Sequence, residues 1–154
     1  MGHSAGAHIA AMLAMNKGYL SAAQGDPDAV AGLIGLAGPY DFLPLKSRKL
    51  KKIFGDPAPR TTQPIDYVTA HAPPALLITG AGDTTVDPGN SRRLAAALTA
   101  AGRIVESQIY PDVGHGRLVG AFSPPLARGV PVLEDVMQFI DSYDDKNDSV
   151  KTRS

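Results

Sequence analysis

The first residues of the chain, Gly2-His3-Ser4-Ala5-Gly6, match the pattern G-x-S-x-G. This pattern is typical of a sharp turn that carries a nucleophilic serine from a β-strand into an α-helix. Glycines two positions before and after the serine let the neighbouring backbone segments approach each other closely. The pattern also recurs by chance in glycine- and serine-rich loops, so the motif alone leaves both a catalytic serine and a loop serine open.

The residues after Ser4 predict a helix that starts near Ala5, because the stretch 7–20 is rich in good helix formers. Its larger apolar side chains fit a helical spacing: Ile9, Met12, Leu13 and Tyr19. The N-terminal end of such a helix would face Ser4, where the helix dipole and the free Ala5 amide favour negative charge. Ala5 is therefore the predicted oxyanion-hole donor.

Composition sets the bounds for the rest of the chain. Its 154 residues are 44% hydrophobic, which predicts a globular domain with a real core. Fifteen basic and fifteen acidic residues leave no net charge, so we expect neither a nucleic-acid partner nor an anionic membrane surface. No apolar run reaches the roughly 20 residues of a membrane span.

Metal and disulfide chemistry find no support in the sequence. The chain has no cysteine, and its four histidines are dispersed rather than spaced as metal ligands. We therefore expect no metal and no organic cofactor. The absence of cysteine fits either cytosol or periplasm, and the cytoplasm is the favoured expectation.

Strand and helix signals alternate along the chain, which is the pattern of an α/β protein with a parallel sheet. Apolar runs at 29–38, 74–83 and 103–111 predict strands. A helix is predicted at 87–102, with Pro88 in its first turn and Gly102 as its stop, and a final helix at 132–143. Residues 144–154 are polar, and we expect them to form a disordered tail.

Two residues follow strands at the positions where parallel sheets carry their chemistry. Asp83 lies at the end of the run 74–83, directly after its apolar part, and His115 follows the run 103–111. Both should therefore lie near the carboxyl edge of the sheet. With Ser4 they occur in the order Ser, Asp, His, which is typical of hydrolases with a G-x-S-x-G turn. Asp87 remains an alternative orienting acid, although its place before Pro88 also suits a helix N-cap.

The remaining histidines and acids have simpler interpretations. His3 lines the site or packs, His8 packs or caps one helical turn after Ser4, and His71 is a loop residue. Asp112 and Asp41 suit turns or caps.

Four stretches together resemble the esterases of the α/β-hydrolase fold: GHSAGAH, GPYDF at 38–42, TGAGDTTVDP and YPDVGHG. The resemblance is to the carboxylesterase and lipase-like branch that includes arylformamidase-like and feruloyl-esterase-like proteins. It runs over residues 1–143, which we interpret as a partial domain beginning at the nucleophile turn. It implies the C-terminal half of an α/β-hydrolase fold, with parallel strands and flanking helices.

The resemblance also implies a serine hydrolase that forms an acyl-serine on small to medium esters, with arylformamidase or peptidase activity as variants. Ser4 would be the nucleophile, His115 the base and Asp83 the orienting acid. Relatives carry further strands and a His-Gly-Gly loop with oxyanion donors before the serine, so we expect the true N-terminus to be missing. A catalytically silent fragment is the alternative, and its open sheet edge would favour self-association.

The segment after the strand at 29–38 often forms a cap over the site in this architecture. Residues 43–73 are the predicted cap, and residues 121–131 are a second candidate wall. Within the cap, the basic run at 46–53 alternates with Leu50 and Ile53 in the manner of a solvated helix face.

Overall fold

The computed structural model of the chain describes residues 1–123 and 125–151, and the side chains of residues 144–151 lie outside that description. Within these residues four parallel strands form one sheet in the order β1 (Gly2–His3), β2 (Leu33–Leu36), β3 (Ala75–Gly80) and β4 (Val105–Tyr110). The helices are α1 (Ala5–Met15), α2 (Lys17–Ala22), α3 (Arg48–Phe54), α4 (Gly89–Ala100), α5 (His115–Gly120) and α6 (Val132–Lys151). Short 3-10 turns occupy Pro27–Ala29, Arg60–Thr62 and Pro64–Tyr67. The predicted α/β class is confirmed.

The central strands are buried on both faces, as their continuous apolar sequence predicts. On β3, Ala75 and Leu77 pack with α1 and α4, whereas Leu76 and Ile78 pack with α5 and α6. Successive side chains of a strand point to opposite faces, so β3 supplies both halves of the core. The sheet is thereby fixed between two helical layers, and the ends of its strands are held in constant positions.

Helix α1 begins at Ala5 as predicted, and its buried face consists of alanines together with Met12 and Met15. Ala7 and Ala11 are fully buried against the sheet, whereas Ile9 is 59% and Leu13 is 37% exposed. Small residues on the buried face let the helix lie close to the strands. The strand that precedes it, β1, lies at one edge of the sheet and pairs with β2. Self-association through that edge stays a prediction.

The last helix is longer than its apolar pattern indicates. It was predicted over 132–143, and the structure continues it to Lys151. Residues 144–151 contain neither glycine nor proline, so no helix-breaking residue lies between 144 and 151. Residues 152–154 lie outside the described residues.

One buried side chain ties the GPYDF segment to α4. Asn90 accepts hydrogen bonds at Oδ1 from the amide of Tyr40 at 3.0 Å and from the amide of Asp41 at 2.8 Å. Its Nδ2 donates to the carbonyl of Asp87. All of its bonds go to backbone groups, so Asn90 fixes the path of the loop after β2 whatever side chains that loop carries.

We expect Asn90→Leu to lower the free energy of unfolding by about 2 to 4 kcal/mol, because it leaves the buried Tyr40 amide and the partly buried Asp41 amide without an acceptor at little change in volume. Urea denaturation measures the loss. Arg92→Ala, an exposed position of the same helix, is the matched control and should change stability by no more than about 0.5 kcal/mol. Equal stability of the two variants would contradict the anchoring role of Asn90.

Candidate active site

Ser4 occupies a strained backbone turn between β1 and α1. Its φ of 54° and ψ of −120° lie in a region that residues with a side chain rarely adopt. Such a conformation costs on the order of 1–3 kcal/mol and persists only when the surroundings impose it. Here the Ser4 amide donates to the carbonyl of Leu36 at 2.9 Å, and the Ser4 carbonyl accepts from Ala7 and His8. The neighbouring strand and the first helical turn thus hold the turn from both sides.

The two glycines of the motif have different roles. A Cβ built on Gly2 would lie 2.3 Å from the Gly6 carbonyl oxygen, whereas a Cβ on Gly6 meets nothing within 4 Å. Close approach therefore requires the first glycine only. The motif suggests that both glycines are needed for close packing, but in the structure this requirement applies to Gly2 alone.

Ala5 begins α1 and lines the same cavity as Ser4. In the described part of the chain, no hydrogen bond engages its amide. The amide is therefore available to an anion at the helix N-terminus, which is where negative charge is favoured.

Asp83 and His115 form a buried pair at the carboxyl edge of the sheet. Asp83 Oδ2 accepts a hydrogen bond from His115 Nδ1 at 2.7 Å. The Asp83 side chain is fully buried and that of His115 is 17% exposed. Because a carboxylate accepts, the proton of the neutral imidazole sits on Nδ1 and leaves Nε2 as the basic nitrogen.

The other Asp83 oxygen is also satisfied. Oδ1 accepts from the amides of Thr85 at 2.8 Å and Val86 at 2.9 Å. Burial alone would raise the pKa of Asp83, but the bonds from Val86, His115 and Thr85 outweigh it and hold the pKa below its ordinary value. Asp83 is therefore an ionised partner for the imidazole.

The loop between β4 and α5 returns over the sheet because glycines of the β3 end let it approach. The Val113 carbonyl lies where a Cβ of Gly80 would come within 1.9 Å of it, and it accepts from the Gly82 amide at 3.2 Å. Asp112 provides the bend with a φ of 55°. This path places His115, which follows β4, beside Asp83, which follows the neighbouring strand β3.

His115 also contacts the residue that precedes Ser4. His3 Nε2 donates to the carbonyl oxygen of His115 at 3.0 Å, and the two rings lie 4.6 Å apart between centroids. The structure thus brings His115 into contact with both Asp83 and the strand that carries Ser4.

The alternative site residues lie elsewhere. The Asp87 carboxylate accepts from the Gly89 amide and faces Arg93 Nη1 at 3.6 Å, not His115. Asp41 binds Arg93 Nε at 2.6 Å. His71 and Asp112 are exposed.

A cavity of about 650 Å³ opens beside Ser4 and Ala5. Residues 43–47, together with Leu50 and Phe54, form its outer wall, so the first part of the predicted cap lines it. Residues of the segment 121–131 do not line it, with Pro124 outside the described residues. Arg93, Asp41 and Asp87 form the polar end of the cavity.

The sequence predicts a packing or capping role for His8 but not its partners. Its Nε2 donates to the Thr62 carbonyl at 2.8 Å. Its ring meets those of Phe42 and Phe54 edge-on at 5.6 and 5.8 Å. His8 therefore joins α1 to residues 43–73, and its position one helical turn after Ser4 was the signal for such a contact.

Among the described residues, no group of histidine, aspartate or glutamate side chains is arranged to hold a metal ion. The described helices include none that is both long and apolar enough to cross a membrane.

We expect Gly2→Ala to destabilise the fold by about 1–3 kcal/mol, because the added methyl group meets backbone that cannot move aside. Gly6→Ala is the matched variant in the same motif and should stabilise α1 by up to about 1 kcal/mol, since alanine is the better helix former. Urea unfolding of both variants measures the difference. A similar loss at the two positions would refute the asymmetry.

The lowered pKa of Asp83 predicts a pH dependence of stability. The group stabilises the fold above its unfolded-state value of 3.8, and this contribution disappears as the pH falls through the lower pKa of the folded state. We expect the difference in unfolding free energy between wild type and Asp83→Asn to be constant above about pH 5 and to shrink below 3.8. Denaturation across pH 2–7 measures it, and a constant difference throughout contradicts the assignment.

A model of the BD-FAE family matches residues 1–98. Comparison with curated proteins gives no match.

Solved structures share the fold at low sequence identity. A truncated form of a carbohydrate esterase from gut microbiota is 20% identical with a TM-score of 0.73, over 92% of this chain and 57% of that one. A carboxylesterase from Lactobacillus plantarum is 20% identical with a TM-score of 0.63, over 85% and 49%. An acetyl ester-xyloside bifunctional hydrolase from Caldicellulosiruptor lactoaceticus is 20% identical with a TM-score of 0.66, over 91% and 55%.

The chain thus spans about half the length of the solved structures that it matches. The resemblance of its sequence to the esterases of the α/β-hydrolase fold is confirmed. The matched family model and the shared architecture lead to one conclusion, that the chain belongs to the BD-FAE family and has an α/β-hydrolase fold.

Proposed function

We propose that this chain carries the acyl-transfer centre of a serine carboxylic-ester hydrolase. Ser4 is the nucleophile, His115 the general base and Asp83 the residue that orients and stabilises the imidazole. Membership of the BD-FAE family and the esterase names of the neighbouring structures favour ester chemistry.

The observation that supports the proposal is the hydrogen-bonded pair of Asp83 and His115, which contacts His3, the residue before the strained Ser4 turn. Asp83 holds the proton on His115 Nδ1 at 2.7 Å, so Nε2 is the atom that can accept a proton. His3 joins His115 to the residue next to Ser4. A base, its orienting acid and a strained serine are the parts that nucleophilic catalysis requires.

In the first step Ser4 Oγ attacks the ester carbonyl while His115 Nε2 takes its proton. The resulting imidazolium is stabilised by the Asp83 carboxylate, which stays ionised. His115 then gives the proton to the leaving alcohol and leaves an acyl-serine. Water attacks this intermediate with the same histidine as base, and the acid and free serine are released.

The carbonyl oxygen becomes negative at each attack, and the chain offers it the Ala5 amide. That amide lies at the N-terminus of an 11-residue helix, so the helix dipole adds to its effect. An oxyanion-hole donor contributes roughly 10²- to 10³-fold to turnover.

The cavity indicates the size of the substrate. Its volume of about 650 Å³ falls in the range of pockets that hold small to medium ligands. Phe42, Phe54 and Leu50 give it an apolar wall, whereas Arg93 and its two carboxylates form a polar end. We propose small to medium esters as the substrates, and no metal or cofactor takes part in the proposed steps.

A fluorophosphonate probe tests the proposal directly, because it reacts only with an activated serine. We expect one adduct per chain on Ser4, mapped by mass spectrometry, and none in Ser4→Ala. Asp83→Asn should slow labelling by at least about 100-fold, since the amide stabilises the wrong imidazole tautomer.

Asp112→Asn is the control for Asp83→Asn. It changes a carboxylate of the loop that carries His115, and asparagine tolerates the positive φ at this position. Its labelling rate should match wild type. Labelling of Ser4→Ala at the wild-type rate, or no labelling of the wild-type chain, would refute the proposal. Hydrolysis of a nitrophenyl ester and of the anilide of the same acid then separates esterase from amidase activity.

A further inference from the structure

His3 makes two contacts with His115 that the acyl-transfer steps do not use. Its Nε2 lies 3.0 Å from the His115 carbonyl oxygen, and its ring centroid lies 4.6 Å from that of His115. The bond joins residues 112 positions apart in the chain. This hydrogen bond therefore links the strand that precedes Ser4 to the loop that carries His115.

The direction of this bond follows from its chemistry. A carbonyl oxygen only accepts, so His3 must carry its proton on Nε2. The donor belongs to β1, and β1 pairs with β2 through His3 itself, opposite Leu36. The donating group is thus mounted on the sheet, whereas the acceptor belongs to the loop after β4.

This arrangement spans the sheet. Strands β1 and β4 lie at opposite edges with two strands between them, which separates them by roughly 14 Å. Ser4 depends on β1 for its position, whereas His115 depends on the loop that leaves β4. The bond to Asp83 fixes one nitrogen of the His115 ring to the end of β3, but it does not tie the ring to the strand that carries the serine.

We propose that His3 is a positioning residue: by donating Nε2–H to the His115 carbonyl, it holds the loop that carries the base in register with Ser4. This inference rests on the proposed function, because His115 has to be aligned with Ser4 only if the two residues act as base and nucleophile. A displacement of about 1 Å between reacting groups can cost as much as 100-fold in rate. A single bond at the backbone of the base can therefore have a large kinetic effect and a small effect on stability.

Three substitutions separate the hydrogen bond from the ring contact. His3→Gln keeps an N–H donor of similar reach and removes the ring. His3→Phe keeps a ring and removes the donor, and His3→Leu removes both. His71→Leu is the matched control, because His71 is an exposed histidine outside the site.

Two measurements are made on the full chain. The first is the rate of Ser4 labelling by the fluorophosphonate probe. The second is amide exchange at Gly82 and Arg117, whose N–H groups donate to the carbonyls of Val113 and Gly114 and so report opening of the loop. Thermal unfolding shows that each variant is folded.

We expect His3→Phe and His3→Leu to label at least about tenfold more slowly than wild type and to exchange faster at both amides. His3→Gln and His71→Leu should stay within about threefold of wild type in both measurements. Rescue by glutamine is the result that a packing role cannot produce, because glutamine supplies the donor without the ring.

Three results would overturn the inference. In the first, all His3 variants behave as wild type. In the second, His3→Phe matches wild type while His3→Leu is slow, which assigns the effect to ring packing. In the third, His3→Gln is as slow as His3→Leu, which removes the hydrogen bond as its cause. Absence of labelling in wild type counts against the proposed function alone, and amide exchange then decides the role of His3 by the same comparisons.

Discussion

The buried carboxylate of Asp83 is the group on which the site depends. A charge taken out of water is unfavourable unless hydrogen bonds replace its solvation. Two bonds come from the amides of Thr85 and Val86, and the third comes from His115. The first two bonds hold the turn after β3, and the third holds the loop that carries His115. The solvation of one buried anion therefore fixes the positions of both loops.

Much of this could be predicted from the sequence because it follows from parallel-sheet geometry. Residues directly after apolar strands must lie at one edge, and this placed Asp83 and His115 together in the prediction. The strained turn followed from its motif. The buried face of α1 could not be predicted, since its sequence AGAHIAAMLAM is apolar nearly all round and offers no contrast between faces.

The contacts of Asn90, Arg93 and His8 could not be predicted from the sequence for a different reason. Each joins segments that are distant in sequence, with separations of 50, 52 and 54 residues for the bonds to Tyr40, Asp41 and Thr62. The periodicity of apolar residues within a helix does not indicate which distant loop the helix will contact. A polar residue on a helix is ordinary in sequence, and only packing shows that its partner lies in the GPYDF segment or in residues 43–73.

The bond between His8 and the cap reaches a backbone carbonyl rather than a side chain. Any residue at position 62 supplies the same acceptor, so mutation there leaves this attachment intact. The wall residue Phe54 also contacts the His8 ring, so replacing Phe54 would remove that ring contact but leave the hydrogen bond in place. The attachment of α1 to residues 43–73 thus has one part that depends on the side chains of the wall and one part that does not.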